Sequence, residues 1–150
     1  MSGLVIDLPT PDATRALGTA VARSLRPGEA ICLWGPLGAG KTTLARGLIG
    51  ALQRTPEEVP SPSFTLVQLY EGVEFPVAHF DLYRVQSLAE IEELGLDDAM
   101  DGGAAVIEWP ERLEGRLPPE RLDIVLSIVG EARRAVLERH GAWRGRSIER

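Results

Sequence analysis

The sequence predicts an α/β domain whose sheet is mixed, parallel at its centre and antiparallel at its edge. Three observations predict it. The stretch Gly35-Pro36-Leu37-Gly38-Ala39-Gly40-Lys41-Thr42 fits G-x-x-x-x-G-K-[ST], the phosphate-binding loop. An apolar run, Ala30–Trp34, precedes it, and residues 43–49 follow with helical spacing, so the motif sits between a buried strand and a helix. Beyond residue 60, alternating apolar runs separated by Gly-containing turns read as strands and hairpins.

In chain order, Leu4–Leu8 is a short strand. Thr10 reads as an N-cap with Pro11 at the first helical position, and the stripe Ala13, Leu17, Val21 and Leu25 predicts a helix over 11–25, ended by Pro27-Gly28. Strand Ala30–Trp34, the loop and helix Lys41–Leu52 come next. Three prolines within 56–62 exclude a helix or a central strand. Residues 64–70 alternate as a strand that puts Phe64, Leu66, Gln68 and Tyr70 on one face, and residues 71–74 turn it into a hairpin with 76–81. On that second strand His79, Asp81 and Tyr83 share a face, while Phe80 and Leu82 point the other way. Ser87 with Glu90 forms a capping box for a helix ending at Gly95, and one more turn covers 96–100. Asp101-Gly102-Gly103 turns into the apolar run 104–107, which ends in Glu108. Residues 121–129 alternate strongly and return through Gly130-Glu131 into 134–139. Residues 1–150 read as one domain without repeats or linkers.

The composition is that of a soluble globular protein, 44% hydrophobic and 25% charged. No apolar run reaches the roughly 20 residues needed to span a bilayer, and no signal peptide is evident, so the expected compartment is the cytoplasm. The single cysteine, Cys32, excludes an internal disulfide and reads as a buried apolar residue; with two histidines it falls short of a zinc site. The net charge of −6 is uneven: from Arg133 onward six arginines face two glutamates, about +4, leaving the body about −10. An acidic body argues against a stand-alone nucleic-acid binder. The basic end, from about residue 141, reads equally as a solvated, flexible tail or as a contact for RNA or an acidic partner.

The loop predicts chemistry. Its glycines let successive N–H groups turn inward around phosphate oxygens, and the helix that follows aims its positive end at the same place. Lys41, the only lysine in the chain, reaches toward β- and γ-phosphates, and the Thr42 hydroxyl is the Mg²⁺ ligand such loops use. A second metal-side carboxylate is needed at the end of a strand, and Asp81 and Glu108 are the candidates. Glu108 is favoured, because 104–107 is apolar on both faces while the Asp81 strand carries His79; Asp81 is then left to orient water or hold the metal's outer shell. His79 reads as a structural hydrogen-bonding partner of the neighbouring Asp81. Ser61-Pro62-Ser63-Phe64 stands where phosphate-loop proteins carry a switch segment, and its hydroxyls are candidates to sense a γ-phosphate.

These segments together closely resemble the TsaE (YjeE) family, a bacterial ATPase of tRNA threonylcarbamoyladenosine formation. The resemblance rests on residues 35–43, 61–67, His79-Phe80-Asp81-Leu82-Tyr83-Arg84, 90–95 and Ile107-Glu108-Trp109-Pro110-Glu111. It implies a three-layer, P-loop NTPase-like domain that binds ATP and Mg²⁺. The loop through Thr43 holds the phosphates, Thr42 and Glu108 hold Mg²⁺, Asp81 with Lys41 serves hydrolysis, and Trp109 lies beside the nucleotide. Pro11 and Arg133 or Arg134 border it through more weakly matching segments. The implied partners are TsaB and TsaD; TsaD performs the transfer and the ATPase resets or regulates the complex. tRNA contact through the basic end stays open. Two departures stand out: Pro36 where many members carry Asp, and Ser63 where Thr is usual. A small-molecule kinase and a nucleotide-gated adaptor without hydrolysis share the loop and are the alternatives. A GTPase is excluded, since no Asn-Lys-x-Asp guanine reader exists in a chain whose single lysine is Lys41.

Overall fold

The computed structural model describes residues 3–55, 58–62 and 65–148. Their elements are β1 (Leu4–Leu8), α1 (Pro11–Ala22), β2 (Ala30–Trp34), α2 (Lys41–Leu52), β3 (Val67–Tyr70), β4 (Val77–Asp81), α3 (Leu88–Leu94), α4 (Leu96–Met100), β5 (Ala104–Glu108), β6 (Arg121–Val129) and β7 (Ala132–Arg139), with short 3₁₀ turns at Pro110–Leu113 and Gly141–Trp143. The strands form one sheet in the order β1-β7-β6-β2-β5-β4-β3. β6, β2, β5 and β4 run parallel, while β3 at one edge and β7 and β1 at the other pair antiparallel. This is the mixed α/β sheet the sequence predicts, with an antiparallel margin on both sides.

β4 and β5 are buried along their whole length, as expected of central parallel strands covered on both faces. Alternation along β2 divides the core: Ile31 and Leu33 pack with Leu17, Val21, Leu44 and Leu48 of α1 and α2, whereas Ala30 and Cys32 pack with Phe80, Ile107 and Ile91 on the opposite face. α1 and α2 cross at Gly18 and Gly47. A Cβ on Gly18 would lie 2.2 Å from the Leu44 carbonyl oxygen, and one on Gly47 2.1 Å from that of Arg15. Only glycine permits this approach, and it fixes the start of α1 beside the loop that begins α2. No helix among the described residues is long and apolar enough to cross a membrane.

Thr10 caps α1 through its hydroxyl (3.1 Å to the Ala13 N–H), and Ser87 caps α3 (3.3 Å to the Glu90 N–H), both as predicted. Two local expectations are corrected. α1 ends at Ala22 instead of residue 25: the N–H groups of Arg23 and Ser24 bond three residues back, tightening the chain ahead of Pro27. The strand predicted from residue 64 begins at Val67, because Leu66 adopts a left-handed conformation (φ 67°), donating to the Pro62 carbonyl and accepting from the Asp81 N–H; Phe64, placed at its start, lies outside the described residues. Of the basic end, read equally as a flexible tail or a contact segment, Trp143 and Ile148 pack against the core. Trp143 is fully buried, and the Arg146 guanidinium takes both Glu29 carboxylate oxygens at 2.7 and 2.8 Å while lying 4.3 Å from the Trp143 ring centroid.

Candidate functional site

Parallel strands end at a common edge, and in open α/β sheets that carboxyl edge is where ligands bind. Here β2 runs into the loop 35–42, and the neighbouring strands end in acids. Asp81 of β4 stands directly opposite Glu108 of β5, and Leu33, one residue before the end of β2, is paired with Glu108 on the other side. Apolar strand bodies carry both carboxylates into the interior: Asp81 is 5% and Glu108 2% exposed.

The loop is shaped by glycine. Gly40, just ahead of α2, has φ 105°, and Gly35 has φ 144° with a would-be Cβ 2.6 Å from the Leu126 carbonyl oxygen. Side chains are excluded at both points. The first N–H groups of α2 have no partner within the helix, so the loop presents donors at a helix N-terminus. Lys41, itself buried, donates from Nζ to the Gly35 carbonyl and, at 3.0 Å, to that of Pro36. Pro36 thus serves through its backbone, which a proline supplies as well as an aspartate. Burial pushes the Lys41 ammonium below its ordinary pKa, against the pull of Glu108, Glu111 and Asp81.

The Thr42 hydroxyl lies 3.0 and 3.2 Å from the two oxygens of Glu108. Glu108 is also met by His79, whose Nε2 is 2.6 Å from Oε2. The predicted pairing of His79 with Asp81 is therefore corrected: its partner is the acid on the next strand. Asp81 Oδ1 accepts from the Tyr83 N–H at 3.0 Å. Trp109 is held in a left-handed conformation (φ 61°, ψ 51°), strained by about 1–3 kcal/mol for a residue with a side chain. Its ring stands 3.9 Å from Lys41 Nζ and 4.8 Å from the Tyr83 ring centroid.

Two hollows flank the loop. One, of about 290 Å³, is lined by Leu37, Gly38, Gly40, Lys41, Thr42, Thr43, Ser61, Asp81, Tyr83, Glu108 and Trp109. The other, of about 120 Å³, shares Gly38, Gly40 and Thr43 and is closed by Pro11, Thr14 and Arg133. Arg133 Nε donates to the Gly38 carbonyl at 3.1 Å, whereas Arg134 turns away to Asp7, so Arg133 is the arginine that borders the loop. Gly35, Pro36 and Ala39 line neither hollow; Ala39 is buried, and the other two give carbonyls to Lys41. A further cleft of about 330 Å³ lies between α3, α4 and the turn at Pro110–Leu113, but its acids, Glu92, Asp97 and Asp98, are exposed. Buried acids, a buried lysine and helix N–H donors meet only at the loop among the described residues.

The family model described as threonylcarbamoyl adenosine biosynthesis protein TsaE matches residues 8–136. The chain belongs to the TsaE family. It is 39% identical over 127 residues to the tRNA threonylcarbamoyladenosine biosynthesis protein TsaE of Bacillus subtilis (84% of this chain, 78% of the relative). It is 42% identical over 111 residues to the protein of that name from Synechocystis (71% and 69%). The crystal structure of Bacillus subtilis YdiB superposes with a TM-score of 0.77 at 32% identity, covering 94% of this chain and 88% of that one. The TsaE-like segments, separate in sequence, converge here: 35–43, 79–84 and 107–111 meet around one hollow.

Sequence reasoning put Tyr83 on the face of His79 and Asp81 without giving it a role at the site, and did not place Thr14 there at all. Tyr83 is two residues past Asp81, just beyond the strand end, a spacing that returns it to the acid's side. Thr14, one turn into α1 from Pro11, gave no signal apart from that neighbour. Ser61 does line the main hollow, in the segment read as a switch; Ser63, the other hydroxyl proposed there, lies outside the described residues.

Proposed function

We propose that this chain is an Mg²⁺-dependent ATP-binding protein and slow ATPase that serves tRNA threonylcarbamoyladenosine formation together with TsaB and TsaD, in the cytoplasm. The observation that carries the reading is the convergence of Lys41, Thr42, Asp81 and Glu108 on one hollow at the mouth of the Gly-rich loop. The names of the TsaE relatives supply the process.

The donor set suits the metal. A threonine hydroxyl and a carboxylate are hard oxygen ligands of the kind Mg²⁺ takes alongside phosphate and water. Mg²⁺ bound there would neutralise charge on the β- and γ-phosphate oxygens. The loop N–H groups bind the phosphates, and Lys41 leaves the Gly35 and Pro36 carbonyls to neutralise them. Thr42 and Glu108 would hold the metal. Asp81, adjacent to Glu108, orients the attacking water, and Trp109 with Tyr83 shields that side of the hollow. Pro11 and Arg133 border the space on the other side of the loop, where the rest of the nucleotide extends.

Reconstitution tests this reading. tRNA modification is assembled from TsaB, TsaD and their carbamoyl-adenylate supplier, with and without this protein, while phosphate release is followed. Sustained modification and ATP hydrolysis that both require the protein are expected. Modification indifferent to its omission, or phosphorylation of a small hydroxylated acceptor faster than hydrolysis, overturns the proposal.

A further inference from the structure

His79 is 0% exposed and stands on the interior strand β4, between β5 and the edge strand β3. Two features separate it from an ordinary core histidine. Its Nε2 makes a short 2.6 Å contact with Glu108 Oε2, between groups that are both shut off from solvent. Its Nδ1 is buried with no hydrogen-bond partner among the described residues. Buried polar atoms are normally paired, and leaving one unpaired costs about 1–3 kcal/mol. The ring's one hydrogen bond goes to a single carboxylate oxygen.

The sheet makes this possible. His79 is in register with Val106, two residues before Glu108, so the two side chains lie diagonally on one face of adjacent parallel strands. A carboxylate oxygen accepts, so the imidazole donates from Nε2. Oε2 is thereby held by the imidazole, the Thr42 hydroxyl lies 3.0 Å from Oε1 and 3.2 Å from Oε2, and Oε1 is the oxygen that His79 leaves free. Rotation of the carboxyl group, otherwise soft, would break the contact with His79.

We propose that His79 is the positioning residue of the site: it fixes the Glu108 carboxylate so that Oε1 is presented beside Thr42 for the metal. This rests on the reading of Thr42 and Glu108 as the Mg²⁺ site. Groups behind metal ligands set ligand orientation, and losing one typically costs roughly 10- to 100-fold in metal affinity.

The test is calorimetric ADP binding by the full chain, in EDTA and in Mg²⁺, for wild type, His79→Phe and His79→Gln. Phe fills the space without a donor; Gln keeps an amide donor at similar reach. His79→Phe is expected to bind ADP in EDTA within about threefold of wild type but to lose roughly tenfold or more of the tightening by Mg²⁺, and His79→Gln to recover most of it. Full Mg²⁺ tightening in His79→Phe, or equal weakening with and without Mg²⁺, overturns the positioning role. Should His79→Phe fail to fold by circular dichroism, His79→Asn replaces it, polar but too short to reach, with the same expected loss and the same overturning results. Absence of Mg²⁺-dependent ADP binding in the wild type would instead defeat the proposed function itself, so the two failures are distinguishable.

Discussion

The Lys41 ammonium stands 3.9 Å from the centroid of the Trp109 ring while bonding to carbonyls of its own loop. A cation released toward phosphate leaves that ring. ATP is therefore expected to change tryptophan emission in the wild type, and Trp109→Phe to abolish the change although Trp34 and Trp143 remain. Lys41→Ala is expected to weaken ATP binding at least tenfold, since loop N–H groups alone leave the phosphates under-neutralised. A titration of each variant by fluorescence and calorimetry checks both; an unchanged affinity in Lys41→Ala would refute the site.

Asp81 and Glu108 are neighbours across a strand pair, yet their roles are predicted to differ. Asp81→Ala should keep ATP binding within a few-fold and lower turnover by roughly 100-fold, the range expected for a group that acts on the reacting water. Single-turnover phosphate release with parallel binding measurements separates the two effects. Loss of binding with Asp81→Ala would mean that the two acids exchange places.

The pair Arg146–Glu29 joins residues 117 apart in sequence, with side chains 12% and 6% exposed. The carboxylate bonding keeps the guanidinium charged, its pKa raised above the ordinary value. Arg146→Ala leaves Glu29 buried without its counter-charge and is expected to cost about 3 kcal/mol in urea unfolding. A loss under 1 kcal/mol would show the pair to be a surface contact in energetic terms.

Cys32 gives a pH signature. Burial raises the pKa of its thiol, with Asp123 acting the same way and Arg121 against it. The unfolded thiol begins to ionise near its ordinary 9.0 while the folded one keeps its proton. The native state then binds more protons, so unfolding becomes easier as pH rises above that value, by about 1.4 kcal/mol per pH unit from this group. Cys32→Ala should flatten that slope, which urea titrations from pH 8 to 10.5 would measure. Native protein should also resist thiol reagents until denatured, because the thiolate is the reactive form. Parallel slopes in the two proteins would contradict the assignment.

What the sequence disclosed depended on how local each signal was. The loop announced itself because glycine spacing, a flanking apolar strand and a helix start all lie within about twenty residues. Glu108 was legible as the acid closing an all-apolar run. The partner of His79 was not: Asp81, two residues away on the same face, is the nearer acid in sequence, and only the β4–β5 register brings Glu108 closer. Leu66 was misread because its left-handed turn is imposed by the Pro62 carbonyl and the Asp81 N–H, contacts that strand propensity does not carry. Trp143 looked like part of a polar end because it stands among Gly and Arg; its burial depends on a surface made by distant elements.

The placement of β1 bears on how this chain comes to be folded. Its hydrogen-bonding neighbour in the sheet is β7, with Leu4 opposite Leu137 and Leu8 opposite Arg133. β2, the strand that feeds the loop, likewise needs β6, and the Glu29 ahead of it needs Arg146. On the ribosome, β1 has no neighbour in the sheet until β7 has followed it. A nascent chain stalled before β7 therefore leaves β1 without its neighbour in the sheet, an unpaired strand open to wrong partners.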